Sequence, residues 1–333
     1  MRMTRRVRIP LSVGLVTVVL AVAFVVPATQ SGAAASGLRL YVEPAAGYGF
    51  IDRAIAEAHR TIDLSMYELE DPAIENDLVA RARAGVEVRV VLDSDYGISS
   101  VNAPAAAVLK RGGVHVVWAP SSQIFHAKYL VTDDATLYVG TGNFSAQYYS
   151  STRDFWILDR DHNDVAAATA TFSADYAHRN APLGSGSGDL VWSPGSTNAL
   201  VGLIDSAKRS LLVENEEMDS SVIESALESA AQRGVDVKVV MTYDAEWHDA
   251  LGQLAKAGVH VHVLSAAQVY IHAKVICADC NLSTASAFVG SENFSTSSLD
   301  YNRELGIITS AGTVTHSLWT TVLSDYALGS PPF

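Results

Sequence analysis

Cysteine is almost absent: the 333 residues hold two, Cys277 and Cys280. Neither stands near the small-residue stretch "PATQSGAAASG" that begins at Pro27, which argues against lipid attachment there. Long apolar runs are equally scarce. Beyond residue 26 no segment is long and apolar enough for a helix to span a bilayer, which excludes a span downstream. Basic residues are few as well, 23 Lys and Arg against 36 Asp and Glu, for a formal net charge of −13. A surface of that sign stays soluble, and its mean field repels polyanions, nucleic acid among them. What remains, 49% apolar and 18% charged residues, is ordinary globular composition with room for one large domain or two modest ones.

The chain opens on an exception to that composition. Arg2, Arg5, Arg6 and Arg8 precede an apolar run from Leu11 to Val26, and the small-residue stretch follows. Basic region, apolar region and Ala-x-Ala-like zone are the order of a secretory signal, assigned here to residues 1–36. The alternative is an uncleaved segment that tethers the chain to a membrane. Residues 1–35 carry four Arg and no acid, so without them the formal charge becomes −17. An exported chain meets oxidising conditions, and a short-range Cys277–Cys280 disulfide is then expected.

The rest of the sequence is written twice. "VARARAGVEVRVVLDSDY" from Val79 is answered by "ESAAQRGVDVKVVMTYDA" from Glu228, and "YVGTGNFS" from Tyr138 by "FVGSENFS" from Phe288. "IFHAKYLVTDD" from Ile124 returns as "YIHAKVICADC" from Tyr270, with order and spacing kept. Two homologous units of about 145 residues are therefore expected. Their bounds are 37–183 and 189–333, joined by the Gly/Ser linker 184–188.

Within each unit, short β-rich runs alternate with helical patterns. In the first, "LRLYV", "TIDLSMYEL", "VEVRVVLD" and "VHVVWAP" read as strands. "YGFIDRAIAEAHR", a stretch opening on Pro72 and closing at Gly85, and "APAAAVLKRGG" read as the helices between them. Such crossovers imply parallel pairing with helices on the sheet faces. "FHAKYLVT", "TLYVGTG" and "DFWILDR" follow one another without helices and read as antiparallel strands. The expected fold class is α/β: two tandem α/β sandwiches with mixed sheets, related by a pseudo-twofold axis, with the site at their interface.

The duplicated motif carries the chemistry. Taken as a strand, His126 and Lys128 point the same way, and so do His272 and Lys274. Asp133 and Asp279 fall on the opposite parity at the strand end, which gives them a structural role in the hairpin turn. An imidazole beside an ammonium suits phosphoryl chemistry without a metal. The imidazole serves as nucleophile or acid/base, and the Lys holds a phosphoryl oxygen. Asn143 and Asn293, each following a Gly-x-x, add amide donors to the same oxygens. Displacement at phosphorus needs one group to attack and another to protonate the leaving oxygen, and two facing copies supply both.

"HAKYLVTD…GTGN" and "HAKVICAD…GSEN" resemble the two His-x-Lys-x4-Asp motifs of the phospholipase D superfamily, and the resemblance covers both halves. It implies a bilobal α/β fold with one active site between the lobes, a covalent phosphohistidine, and no cofactor or metal. It implies an acid against the far nitrogen of each His, for which Asp154 and Glu304 are the candidates. It adds Thr141, standing where Ser is commoner, and Ser291 to the phosphate-binding set. By the family's order His126 is the nucleophile and His272 the acid, although the near-symmetric motifs do not themselves choose.

Other features receive plainer readings. His260 and His262 share a strand face, but no third zinc ligand accompanies them. Cys277-x-x-Cys280 sits at a strand end rather than a helix N-terminus, which favours a hairpin clamp over a redox motif. "ENEEMD" from Glu214, aligned with "MYELED", reads as a strand end and solvated turn. The functions that fit are, in order, three enzymes of one reaction type, the first two secreted. The first is a phosphodiesterase of phospholipase D type acting on glycerophospholipid head groups at a membrane or micelle surface, as a monomer. An endonuclease of the same fold and a cardiolipin-synthase-type phosphatidyltransferase follow. A non-catalytic relic is disfavoured by the intact His, Lys and Asn of both copies. The flanks "SSQIF", "YLV", "AAQVY" and "VIC" are apolar and aromatic, which favours lipid over nucleic acid.

Overall fold

The computed structural model describes residues 37–332 apart from 96, 182 and 184–187. The leader 1–36 and nearly all of the linker 184–188 lie outside the described residues. Both repeats belong to one compact unit.

Two seven-stranded sheets repeat one topology. The first runs Arg39–Val42, Phe155–Asp159, Thr136–Gly140, Tyr129–Thr132, Thr61–Met66, Glu87–Leu92, His115–Trp118. The second repeats that order with Leu190–Ser193, Glu304–Thr309, Ser286–Gly290, Val275–Ala278, Ser210–Glu214, Asp236–Thr242 and His260–Leu264. Only the last three strands of each are parallel; the other pairings are antiparallel. The sheets are mixed, as expected, but the parallel part is smaller than the helix alternation suggested. "LRLYV" enters as an antiparallel edge strand instead of starting a crossover.

Local sequence explains the helices. Asp71 caps Pro72–Arg83, accepting from the N–H of Ala73 and Ile74, and Pro72 occupies the first turn, where it forfeits no helical bond. Gly85 leaves the helix at φ +92°, where a side chain would strain. The next helix, Ile98–Gly112, begins five residues before the segment assigned from the sequence and contains Pro104. Its extra turn has a purpose. Asn102, fully buried, accepts from Leu69 N–H and donates to the carbonyls of Tyr67 and Asp93, fixing the chain that leaves the strand Thr61–Met66.

The core has three parts. One apolar layer lies between the first sheet and its outer helices, and a second does the same for the other repeat. The third is shared: Val139, Phe155 and Phe172 from the first repeat join Val289, Leu305 and Leu318 from the second. The helix Gly312–Leu328 reaches strands of both sheets. Neither repeat closes its own interior. Among the described residues no helix is long and apolar enough to cross a membrane.

Candidate active site

The His-x-Lys segments fall at the seam between the repeats. They do not lie within regular strands: extension begins after each Lys, at Tyr129 and Val275. The backbone of the other repeat holds them instead. The N–H groups of His126 and Ala127 both donate to the Arg303 carbonyl at 2.9 Å, and His272 N–H donates to the Arg153 carbonyl at 3.2 Å. Tyr270–Ile271 pairs in parallel with Thr152–Arg153. Expecting each His and Lys to share a side proves sound for a different reason than strand alternation: both reach the same neighbour, Tyr67 in one half and Glu216 in the other.

Each His is backed by the acid of the opposite repeat. Glu304 Oε2 lies 2.9 Å from His126 Nδ1, and Asp154 Oδ1 lies 2.9 Å from His272 Nδ1. A carboxylate at Nδ1 accepts a hydrogen bond from the ring N–H there and leaves Nε2 for chemistry. Burial favours the neutral form of both acids, but the facing His and Lys outweigh it, and both carboxyls sit below their ordinary range. Burial pulls His126 down to about 4, with Glu304 opposing and Lys128 assisting, so its imidazole is neutral at pH 7. A neutral imidazole is the attacking form.

The lysines are entirely buried. Lys128 Nζ donates to the His126 carbonyl at 2.5 Å and stands 4.9 Å from the centre of the Tyr67 ring. Burial lowers its ammonium to about 7; Glu304 resists and Lys274 adds to the fall. Lys274 Nζ donates to the His272 carbonyl and, at 2.9 Å, to Glu216 Oε2. Two cations that sense each other in one buried place form a site for a shared anion.

Asn143 and Asn293 are brought to the same region. Their amides donate to Glu68 at 3.2 Å and Glu217 at 2.8 Å, and each Oδ1 is buried without a partner. The two hydroxyls do something other than expected. Thr141 Oγ1 is buried and donates to Asp154 at 2.6 Å, and Ser291 Oγ is buried and accepts from Leu305 N–H at 3.1 Å. Thr141 orients its acid and Ser291 braces the backbone next to Glu304, whose own hydroxyl donor is Ser298 at 2.7 Å; neither is free for a ligand. Asp133 and Asp279 stand apart from the cleft, in left-handed turns at φ 56° and 50°. Asp133 accepts from the N–H of His59, Arg60 and Thr61, and Asp279 from Lys208, Arg209 and Ser210. Close packing explains the glycines of Gly-x-x-Asn. A Cβ on Gly140 would fall 2.4 Å from Trp156 Cδ2, and one on Gly290 2.4 Å from Gly306 Cα.

"ENEEMD" is no solvated turn. Glu214 is fully buried, Glu217 receives Asn293, and Glu216 sits in the site. Pairing of Leu69 with Phe144 and of Met218 with Phe294 shifts the alignment by one residue, so that Glu68 answers Glu217 and Tyr67 answers Glu216. Glu216 Oε2 lies 3.5 Å from His272 Nε2, and its Oε1 accepts from Tyr270. Burial opposes its ionisation, but His272, Lys274 and Tyr270 hold the carboxyl well below the usual range.

Two further residues escaped the sequence reading. Arg153 pairs with Asp325 at 2.6 and 2.9 Å, and Arg303 with Asp175 at 3.1 and 3.2 Å, both bridges crossing the seam. The signal was present: an Arg precedes each acid, in "TRD" and in "NRE". Cys277 and Cys280 are joined by a disulfide beside Asp279. Of the two His weighed against zinc, His262 donates from Nδ1 to the Tyr326 carbonyl and His260 is exposed. Among the described residues no group of three or more His, Cys, Asp or Glu is placed to hold a metal ion.

A cavity of about 520 Å³ opens beside His272. Together these parts can attack a tetrahedral phosphorus from one imidazole and protonate a leaving oxygen from the other.

Comparison with known proteins agrees with the geometry. The family described as "Cardiolipin synthase, PLD-like domain" matches twice, at residues 51–176 and 200–325. The major cardiolipin synthase ClsA of Bacillus subtilis (strain 168) is 26% identical over 297 residues, 76% of this chain and 60% of that protein. The mitochondrial cardiolipin hydrolase of Homo sapiens is 26% identical over 113 residues, 34% of this chain and 44% of that protein. The chain thus spans about half the length of these relatives. The phosphatidylserine synthase of Haemophilus influenzae Rd KW20 shares the fold, with a TM-score of 0.68 at 10% identity over 86% of this chain and 85% of that one.

Proposed function

Because the chain belongs to the phospholipase D superfamily, through two copies of its cardiolipin-synthase, PLD-like domain, we propose that it is a phospholipase D acting on glycerophospholipid head groups. One observation carries the reading: each His is oriented at Nδ1 by a carboxylate of the other repeat, so the two repeats form one site with two differently placed imidazoles. His126 Nε2 attacks phosphorus, the P–N bond forms, and the P–O bond to the head-group alcohol breaks. His272 Nε2 gives its proton to the departing oxygen. Neutral His272 then takes a proton from water, which attacks the phosphohistidine and breaks the P–N bond. Lys128 and Lys274 hold the non-bridging oxygens, with Asn143 and Asn293 beside them. Thr141 and Ser298 hold Asp154 and Glu304 in place.

Lipid is favoured over nucleic acid by charge. Beyond residue 35 the chain has 19 basic against 36 acidic residues, too few for the basic stripe that DNA binding draws on. Export and work at a membrane or micelle surface belong to the same reading. Their support is the leader pattern and the Cys277–Cys280 bridge, which persists in oxidising compartments. A second reading, phosphatidyl transfer to an acceptor alcohol, is favoured by the 76% of the chain aligned with the Bacillus subtilis cardiolipin synthase. The same covalent intermediate serves both.

The test is an assay of the purified protein on phosphatidylcholine, phosphatidylethanolamine, phosphatidylglycerol and plasmid DNA in parallel. It is run with and without excess chelator and with a primary alcohol. Head-group release that survives chelation, with a phosphatidyl-alcohol product, is expected. Transfer without hydrolysis selects the synthase reading. Plasmid nicking without lipid turnover overturns both.

A further inference from the structure

The two halves differ most where the site meets the cavity. In the first repeat Tyr67 lies edge-on to His126, with ring centres 4.6 Å apart. In the second the matching position is Glu216, and the cavity of about 520 Å³ is lined by both Tyr67 and Glu216 and touches His272, whereas His126 is not among its lining residues. That volume suits a small polar group with its first neighbours. Among the residues that line it are Tyr67, Tyr148, Tyr149 and Tyr270 and the acids Glu68, Asp154 and Glu216. Neither Lys nor Arg is among the described residues that line it.

Resting on the phospholipase reading, we infer that this pocket is a subsite for a cationic head group, a primary or quaternary ammonium. Tyrosine faces attract a cation through their quadrupole, and partial desolvation strengthens the attraction. One of these faces already holds one, Lys128 Nζ above Tyr67. The carboxylates add a charge term that selects by sign. A diester phosphate entering beside Lys274 meets Glu216 on the same ammonium. A zwitterionic substrate brings its own cation to that carboxylate, a glycerol head group brings none, and an anionic head group is repelled. Place agrees with chemistry: a leaving alcohol must sit beside the imidazole that protonates it, and the pocket opens on His272 rather than His126.

Tetramethylammonium chloride is the probe, titrated calorimetrically into the whole protein against sodium chloride at matched ionic strength. Saturable binding, weakened at least tenfold in Glu216→Gln and in Tyr148→Ala, is expected. Tyr148 is half exposed, so its truncation leaves the fold unburdened. The lipid panel is then read as a ratio: kcat/KM on phosphatidylcholine and phosphatidylethanolamine exceeds that on phosphatidylglycerol at least tenfold, and the ratio collapses in Tyr148→Ala. No saturable binding, or binding indifferent to both substitutions, overturns the subsite. So does binding accompanied by equal turnover of phosphatidylglycerol. Binding lost in both variants while no lipid is cleaved keeps the subsite and sinks the phospholipase reading instead.

Discussion

His126 and His272 share the sequence His-Ala-Lys but have different neighbours in space, and the difference sets what each can do. His126 has Glu304 at Nδ1 and an aromatic edge nearby, whereas His272 lies between Asp154 and Glu216. Substituting either by Asn should abolish turnover, by about 10³-fold or more, with the circular dichroism and melting of the wild type. Near-wild-type activity in either variant would sink the two-histidine scheme. Asp154→Asn and Glu304→Gln act through the ring they hold and should cost on the order of 10²–10⁴-fold in kcat with KM nearly unchanged. The free enzyme's pH profile follows from two buried bases. His126 must be unprotonated to attack, so kcat/KM should rise through about pH 4. Lys128 must be protonated to hold the phosphate, so kcat/KM should fall above about pH 7. An acid limb near the ordinary histidine value of about 6.5 would show that His126 is solvated in solution.

At the scale of elements, each motif Asp fastens a hairpin to the start of a neighbouring strand. Asp279 collects three backbone N–H groups, and these hold its carboxyl below the ordinary value against the opposing effect of burial. A depressed folded value means the stabilisation is complete above the unfolded pKa of about 3.9 and vanishes as pH falls through the folded one. Asp279→Asn should therefore cost about 2–3 kcal/mol in urea unfolding at pH 7, and the gap should begin to narrow as pH falls below about 4. A gap that stays constant as the pH is lowered further would mean the cost is steric. The strand order around this hairpin was legible because strand and helix periods differ and the repeat confirms each assignment twice. The site was legible where side-chain identity repeats, at His, Lys and Asn; the two acids, an Asp in one copy and a Glu in the other, came from the family resemblance. Glu216 was not, because the fragment that fixes its register, Met218–Asp219, is two residues long and has no period to read. The caps Asp71 and Ser220, 149 residues apart, would have corrected the one-residue slip. Thr141 was assigned to the phosphate because it keeps the hydroxyl of the Ser commoner at that place in the family's motif, and only the fold shows Asp154 claiming it.

On the scale of the whole molecule, the repeats share a core and exchange their functional contacts. Segments 37–183 and 189–332, expressed separately, should each lack activity, and a soluble, active half would contradict the shared interior. Removing one partner of a crossing bridge, as in Arg153→Ala, should cost about 3–5 kcal/mol because Asp325 is left buried and unpaired. Replacing both partners with apolar residues of similar volume should restore most of that loss in thermal melts. If the double variant is no better than the single one, the bridge stabilises through more than charge pairing. The reciprocity of these contacts carries one more consequence. Arg153 meets Asp325 as Arg303 meets Asp175, and Asp154 serves His272 as Glu304 serves His126. A face in which each residue meets the counterpart of its own partner is what two identical chains build about a twofold axis. The tandem chain carries a dimer's seam inside one polypeptide, and unlike two identical chains it is free to place different residues at matching positions, as it does with Asp154 and Glu304 and with Tyr67 and Glu216.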